Sequence, residues 1–202
     1  MKTFKLIIIP IGLLVTLLIG YSCHCSSCAN GEVTEVPSAV LNKANEFIIS
    51  KTGEEFFNKY ITPDFARTKY NPPYYEMAYR FYMPEKDYVV GEIKFITDST
   101  GNVLKDKDII GIPNYKQKPY ECNFTVDKDS AIKIAKENGL KEGIKAWDVG
   151  FIWNPKRQIY VWHVLSTLHE QKGDFGFRGN GQEAIISPVT GEVLEMHDWH
   201  VN

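Results

Sequence analysis

Fourteen residues recur in this chain ninety positions apart. Gly91-Glu-Ile-Lys-Phe-Ile-Thr-Asp-Ser-Thr-Gly-Asn-Val-Leu104 aligns without a gap with Gly181-Gln-Glu-Ala-Ile-Ile-Ser-Pro-Val-Thr-Gly-Glu-Val-Leu194, and six pairs are identical. Both copies read as strand, tight turn, strand. The glycines at 101 and 191 fall where such a turn needs a residue that tolerates positive φ. A chain that repeats a strand–turn–strand segment at this distance reads as two related units.

The residues before each copy extend the unit. Val40, Leu41, Ala44, Phe47 and Ile48 recur at helical spacing, with Ser38 placed to cap them. Thr52 and Glu55 form a capping-box pattern for a second short helix carrying Phe56, Phe57, Tyr60 and Ile61. Pro63, Pro72 and Pro73 bound a loop. Tyr75, Met77, Tyr79 and Phe81 alternate with polar or small residues as a strand does. Tyr88 to Thr97 is the next strand, and Val103 starts a third. Gly111, Pro113 and Pro119 mark a boundary. The pattern then restarts with a helix over Asp127 to Lys136, stopped by Gly139. Strands follow over Ala146–Trp153, Gln158–Leu168, Glu183–Ser187 and Glu192–Trp199, with a polar, glycine-rich loop at 169–180. The expected fold class is α+β, two repeats of a helix packed on an antiparallel sheet, over 38–112 and 120–202. The first repeat has an extra helix and one strand fewer. Units near 80 residues are marginal alone, so the two are expected to pack together.

The N-terminus reads as a sorting signal. Lys2 and Lys5 precede an apolar run from Leu6 to Ile19. Fourteen helical residues rise about 21 Å, short of a hydrocarbon core of about 30 Å. Residues 1–22 therefore fit a signal peptide. Gly20, Tyr21 and Ser22 lead into Cys23 and resemble the lipobox of bacterial lipoproteins, in the relaxed form of the Bacteroidetes type. Gly20 stands where leucine is usual. The resemblance implies that Cys23 is lipidated, that 23–37 is a tether, and that the protein is anchored to a membrane of the bacterial envelope, on its periplasmic or surface face. Loss of Lys2 and Lys5 changes the net charge from −2 to −4. No basic excess favours nucleic acid, and a mean hydropathy of −0.25 excludes a multi-span membrane protein.

Little in the sequence points to chemistry. Cys25-Ser-Ser-Cys28 lies in the tether without a second CxxC, so it reads as a linker with incidental thiols. Cys122 reads as a small half-buried residue. His197 and His200 point to opposite faces of a strand and cannot both bind one ion without a bend; His163, on another strand, could join one of them, but no metal site is assigned. With no G-x-S-x-G and no cysteine in a catalytic context, neither an enzyme nor a cofactor is expected. Gly173 to Gly181 leads into a strand, unlike a phosphate cradle, which opens a helix. It is expected to be a mobile hairpin loop. Phe175, Phe177 and Arg178 in it are residue types favoured at binding hot spots and are the candidate partner contacts. The aromatics of 74–82 and Trp147, Trp153 and Trp162 read as core.

Three segments together resemble the PepSY family, found in propeptides of secreted metallopeptidases and in envelope proteins. They are Ser130-Ala-Ile-Lys-Ile-Ala-Lys-Glu-Asn-Gly139, Ile159-Tyr-Val-Trp-His-Val164 and Ala184-Ile-Ile-Ser-Pro-Val-Thr-Gly-Glu-Val-Leu194. Residues 124–202 carry the match, and 38–112 echo it. The resemblance implies a non-catalytic, protein-binding module that inhibits or modulates a peptidase, here in trans. Small immunity proteins of cystatin-like or nuclear-transport-factor-like fold end in a similar hairpin, which makes toxin neutralisation the alternative. A small-ligand or metal-binding envelope protein is the third reading.

Overall fold

A computed structural model describes residues 35–173 and 176–201, with no account of the side chains over 172–177. The expected signal peptide and lipidation site, Cys23, lie outside the described residues, as do Cys25 and Cys28. Helix α1 spans Ser38–Thr52 and buries every fourth residue, Val40, Ala44, Ile48 and Thr52, in one stripe. Ser38 is its first helical residue rather than its cap. Pro37 occupies the cap position, and no side chain caps the helix. Thr52 does not open the next helix either. Its hydroxyl donates back to the Ile48 carbonyl (3.1 Å), which ties it to the end of α1. Helix α2, Glu54–Tyr60, starts after Gly53 and carries Glu54 and Glu55 in its first turn, where carboxylates suit the helix dipole.

The first sheet is built around β3 (Tyr74–Tyr82). One of its edges pairs with β4 (Val90–Thr97). The other pairs with two short strands laid end to end, β1 (Ile61–Pro63) and β2 (Lys69–Asn71). Tyr75, Met77, Tyr79 and Phe81 face the helices together with Ile93 and Phe95 of β4, as the alternation predicts. Ala78 points the other way and is still buried, because the Asp64–Thr68 turn crosses it and the Thr68 hydroxyl accepts from its amide. The expected strand at Val103 is reduced to two bridges, Thr97–Val103 and Lys94–Ile110. The run Lys105-Asp-Lys-Asp108 between them is a charged loop that leaves the sheet edge.

The second sheet follows α3 (Lys128–Glu137), whose cap is Asp127, accepting from the Ser130 amide at 2.8 Å. Strands β5 (Asp148–Asn154), β6 (Ile159–Gly173), β7 (Gly176–Ile186) and β8 (Val193–Val201) form an antiparallel meander in chain order. Its inner face puts Trp162, Val164, Ala184 and Ile186 against Val126, Ala131, Ala135 and Leu140. Where the sequence points to a loop at 169–180, residues 169–173 and 176–180 are paired strands that form a ribbon. Strand pairing continues from His169–Asn180 out to Gly173–Gly176, past a bulge at Thr167–His169.

Each sheet has its own buried cluster, and the two meet at a seam. Tyr160 of β6 is buried among first-sheet residues, with Phe81 at 5.4 Å, and donates to the Gly111 carbonyl at 2.9 Å. Phe124 bridges the halves, its carbonyl accepting from Lys86 Nζ and the Tyr88 hydroxyl. The connection at 111–113 is buried, so the glycine and proline there mark a packed seam and not an exposed linker. Cys122 is also fully buried in this seam, where desolvation pushes its thiol up to about 12 and keeps it unreactive.

Both turn glycines have positive φ, 87° at Gly101 and 75° at Gly191. Each lies against its own helix: a methyl group on Gly101 would meet the Val40 Cα at 2.9 Å, and one on Gly191 would meet Ile134 at 3.0 Å. The strands leading into the turns do not match residue for residue. The Gly101 amide reaches back to the Asp98 carbonyl, three residues away, whereas the Gly191 amide reaches Ser187, four away. The second turn is one residue longer. Ile93 therefore faces the helices, while Glu183, its partner in the gapless match, faces outward. In the first turn, hydrogen bonds from Thr100 and then Asn102 hold the Asp98 carboxyl down at about 2.

Candidate functional site

Two features of the second sheet stand out, and both depend on β6 and β7. The first is the ribbon. Strand β5 accompanies β6 only as far as Leu165, and β8 accompanies β7 as far as Gly179. Among the described residues, the β5-side edge of β6 beyond Leu165 takes one backbone bond, from the Ile144 amide to the Thr167 carbonyl at 2.8 Å. His169 and Glu170 are exposed, with Lys145 paired to Glu170. Of the candidate contacts, Arg178 is exposed on β7 opposite Gln171. Phe177 lies on β7 opposite Lys172, its side chain outside the description, and Phe175 lies outside the described residues.

The root of the ribbon is clamped. The indole of Trp199 on β8 lies across Gly181 of β7 and donates to the Ser166 carbonyl of β6 at 3.1 Å. One side chain thus ties three strands together where the bulge would otherwise loosen them.

The second feature is the sheet's outer face. Glu183 sits directly opposite His197 and diagonally from His163. One carboxylate oxygen of Glu183 meets Nε2 of His163, and the other meets Nε2 of His197. His200, opposite Asn180, is not part of this group. Nearby, Arg157 grips Glu195 through Nε and Nη2 (3.1 and 2.8 Å), which holds that carboxyl below its ordinary range. The sequence drew attention to all three histidines and missed Glu183. Its pairing with His197 follows from the lengths of the turn and of the bulge at Ile185–Ile186, neither of which residue types alone dictate.

A groove of about 570 Å³ lies on the outer face of the first sheet, among Arg67, Lys69, Glu76, Glu92, Lys94 and Asp108. Its charges largely satisfy one another, with Glu92 paired to both Arg67 (3.3 Å) and Lys94 (2.6 Å), so the groove selects no one sign of ligand.

Among the described residues, these observations define an α+β fold in which three α-helices pack on two antiparallel sheets whose buried clusters meet at Tyr160 and Phe124. No model of a protein family matches the chain, and neither a curated protein nor a solved structure does. Among the described residues no helix is long and apolar enough to cross a membrane.

Proposed function

We propose that this chain is a lipid-anchored bacterial envelope protein that acts by binding another protein, with an envelope or secreted peptidase, restrained in trans, as the target class. It is also read as a duplicated, PepSY-like module. The two turn glycines, each against its own helix, support the duplication, and the one-residue difference in turn length accounts for the loss of strand register.

The ribbon of β6 and β7 carries the binding reading. It projects beyond β5, its root is clamped by Trp199, and one edge presents backbone groups with few partners. A pre-formed strand edge loses less conformational freedom on entering a cleft than a free loop, and main-chain hydrogen bonds supply affinity there. Arg178 adds a side chain suited to a partner surface.

The test compares the mature chain with a variant in which residues 171–178 are replaced by a two-residue turn. Added to an envelope extract, the parent is expected to lower general proteolysis of a fluorescent protein substrate, and the shortened variant to lose most of that effect at an unchanged melting temperature. Proteolysis unaffected by the parent refutes the peptidase target, and equal inhibition by both proteins refutes the ribbon as the contact.

The anchor has its own test. Cells fed a fatty-acid analogue are expected to label the parent, and Cys23→Ala is expected to abolish the label and release the protein from the membrane fraction. Unchanged labelling refutes lipidation at Cys23.

A further inference from the structure

We propose that His163, Glu183 and His197 form a binding site for a divalent transition metal, of which zinc is the best-suited biological example, on the open face of the second sheet. The three side chains come from three adjacent strands, β6, β7 and β8, and project from the same face. Both imidazoles already present Nε2 to the Glu183 carboxylate, each to a different oxygen.

Adjacent strands are about 4.8 Å apart, so β6 and β8 stand roughly 10 Å apart with β7 between them. An ion held above the central carboxylate is therefore approached by one imidazole from either side. Two imidazoles and a carboxylate suit zinc, cobalt and nickel, and three protein ligands leave a position for water. Exposure fits a site of this kind: the side chains of His163, Glu183 and His197 are 27%, 20% and 50% exposed, which is enclosed on the sheet side and open above.

The surroundings are compatible. Val161 and Ile185 supply a buried apolar floor on the same face. Lys156 and Arg157 of the adjoining turn are paired with Glu195. Among the described residues no group of three or more metal-ligating side chains is already arranged to hold an ion, and these three are engaged with one another through the Glu183 carboxylate. Binding needs two local changes. Each neutral imidazole moves its proton from Nε2 to Nδ1, exposing the Nε2 lone pair, and the Glu183 carboxylate turns both rings toward the ion.

The experiment uses the full chain without an affinity tag, in detergent, with Cys25→Ser and Cys28→Ser in every protein so that the tether cannot compete. Zinc is titrated calorimetrically and cobalt(II) by visible absorption, in which a thiolate ligand would declare itself by a near-ultraviolet charge-transfer band. The expected result is one ion per chain, a cobalt spectrum of a nitrogen–oxygen site, and zinc binding weakened at least tenfold by His163→Ala, His197→Ala and Glu183→Gln but not by His169→Ala or His200→Ala. Zinc should also raise the melting temperature of the parent and not that of His197→Ala. Melting in chelator shows which variants are folded, and His197→Ala, at the most exposed of the three positions, decides the matter if the others are not. No saturable binding, thiolate absorption, or equal loss in His200→Ala overturns the proposal.

Discussion

Tyr160→Ala is expected to unfold both sheets together and to remove a large part of the protein's stability. The tyrosine is 4% exposed, stacks on Phe151 at 5.1 Å, and stands edge-on to Trp153 at 5.2 Å. It also reaches Phe81 and Phe124 of the other half of the core. Truncating a buried aromatic to alanine costs about 3–5 kcal/mol. The lost hydroxyl adds the penalty of an unpartnered Gly111 carbonyl, about 1–3 kcal/mol. Against a typical total of about 5–15 kcal/mol, the sum is a large share. Tyr160→Phe isolates the second part and should cost only that. The measurement is urea unfolding followed by tryptophan fluorescence, which reports the second sheet, alongside hydrogen exchange in α1, which reports the first. One shared midpoint, moved equally by both probes, is expected. Persistent protection of α1 after the fluorescence transition would show that the halves are stable separately and that the seam is not a common core.

Gly181→Ala should break the clamp at the ribbon's root. A methyl group there would stand 1.8 Å from the Ser166 carbonyl oxygen and 2.7 Å from the Trp199 indole nitrogen. Neither neighbour yields easily, since the first is backbone and the second is a ring held by its own hydrogen bond. Overpacking of this kind costs about 1–3 kcal/mol, and contact with backbone places this case at the upper end. Trp199→Phe is the companion variant. It keeps a ring over the glycine but loses the bond to Ser166, with an expected loss of about 1 kcal/mol. Stability is read from thermal melts, and ribbon order from amide exchange over 169–180. Gly181→Ala with parental stability and exchange would falsify the clamp.

Several elements were legible from residue pattern alone. The buried stripe of α1 and the alternation of Tyr75, Met77, Tyr79 and Phe81 are periodicities, and the structure keeps both. Gly101 and Gly191 have the positive φ that their turns demand. The α3 helix begins and ends within a residue or so of its expected limits. Caps were less legible. Ser38 and Thr52 have the right chemistry for capping, but Pro37 and Gly53 take the cap positions. Glycine and polar residues dominate 169–180, a composition that points to a loop. Composition of that kind also suits a two-sided exposed strand, where no face needs to be apolar.

For this protein, local periodicity and turn chemistry determined the element types, the α+β class and the two turn glycines, because those depend on residues within a few positions of one another. The tertiary structure decided what faces what. A side chain alternates faces at every step along a strand, so one extra residue in the Ser187–Glu192 turn sends Glu183 outward to His163 and His197, while Ile93 points inward. The seam at Tyr160 and Gly111, residues 49 positions apart, was equally beyond reach, since only packing of the two sheets brings that hydroxyl to that carbonyl.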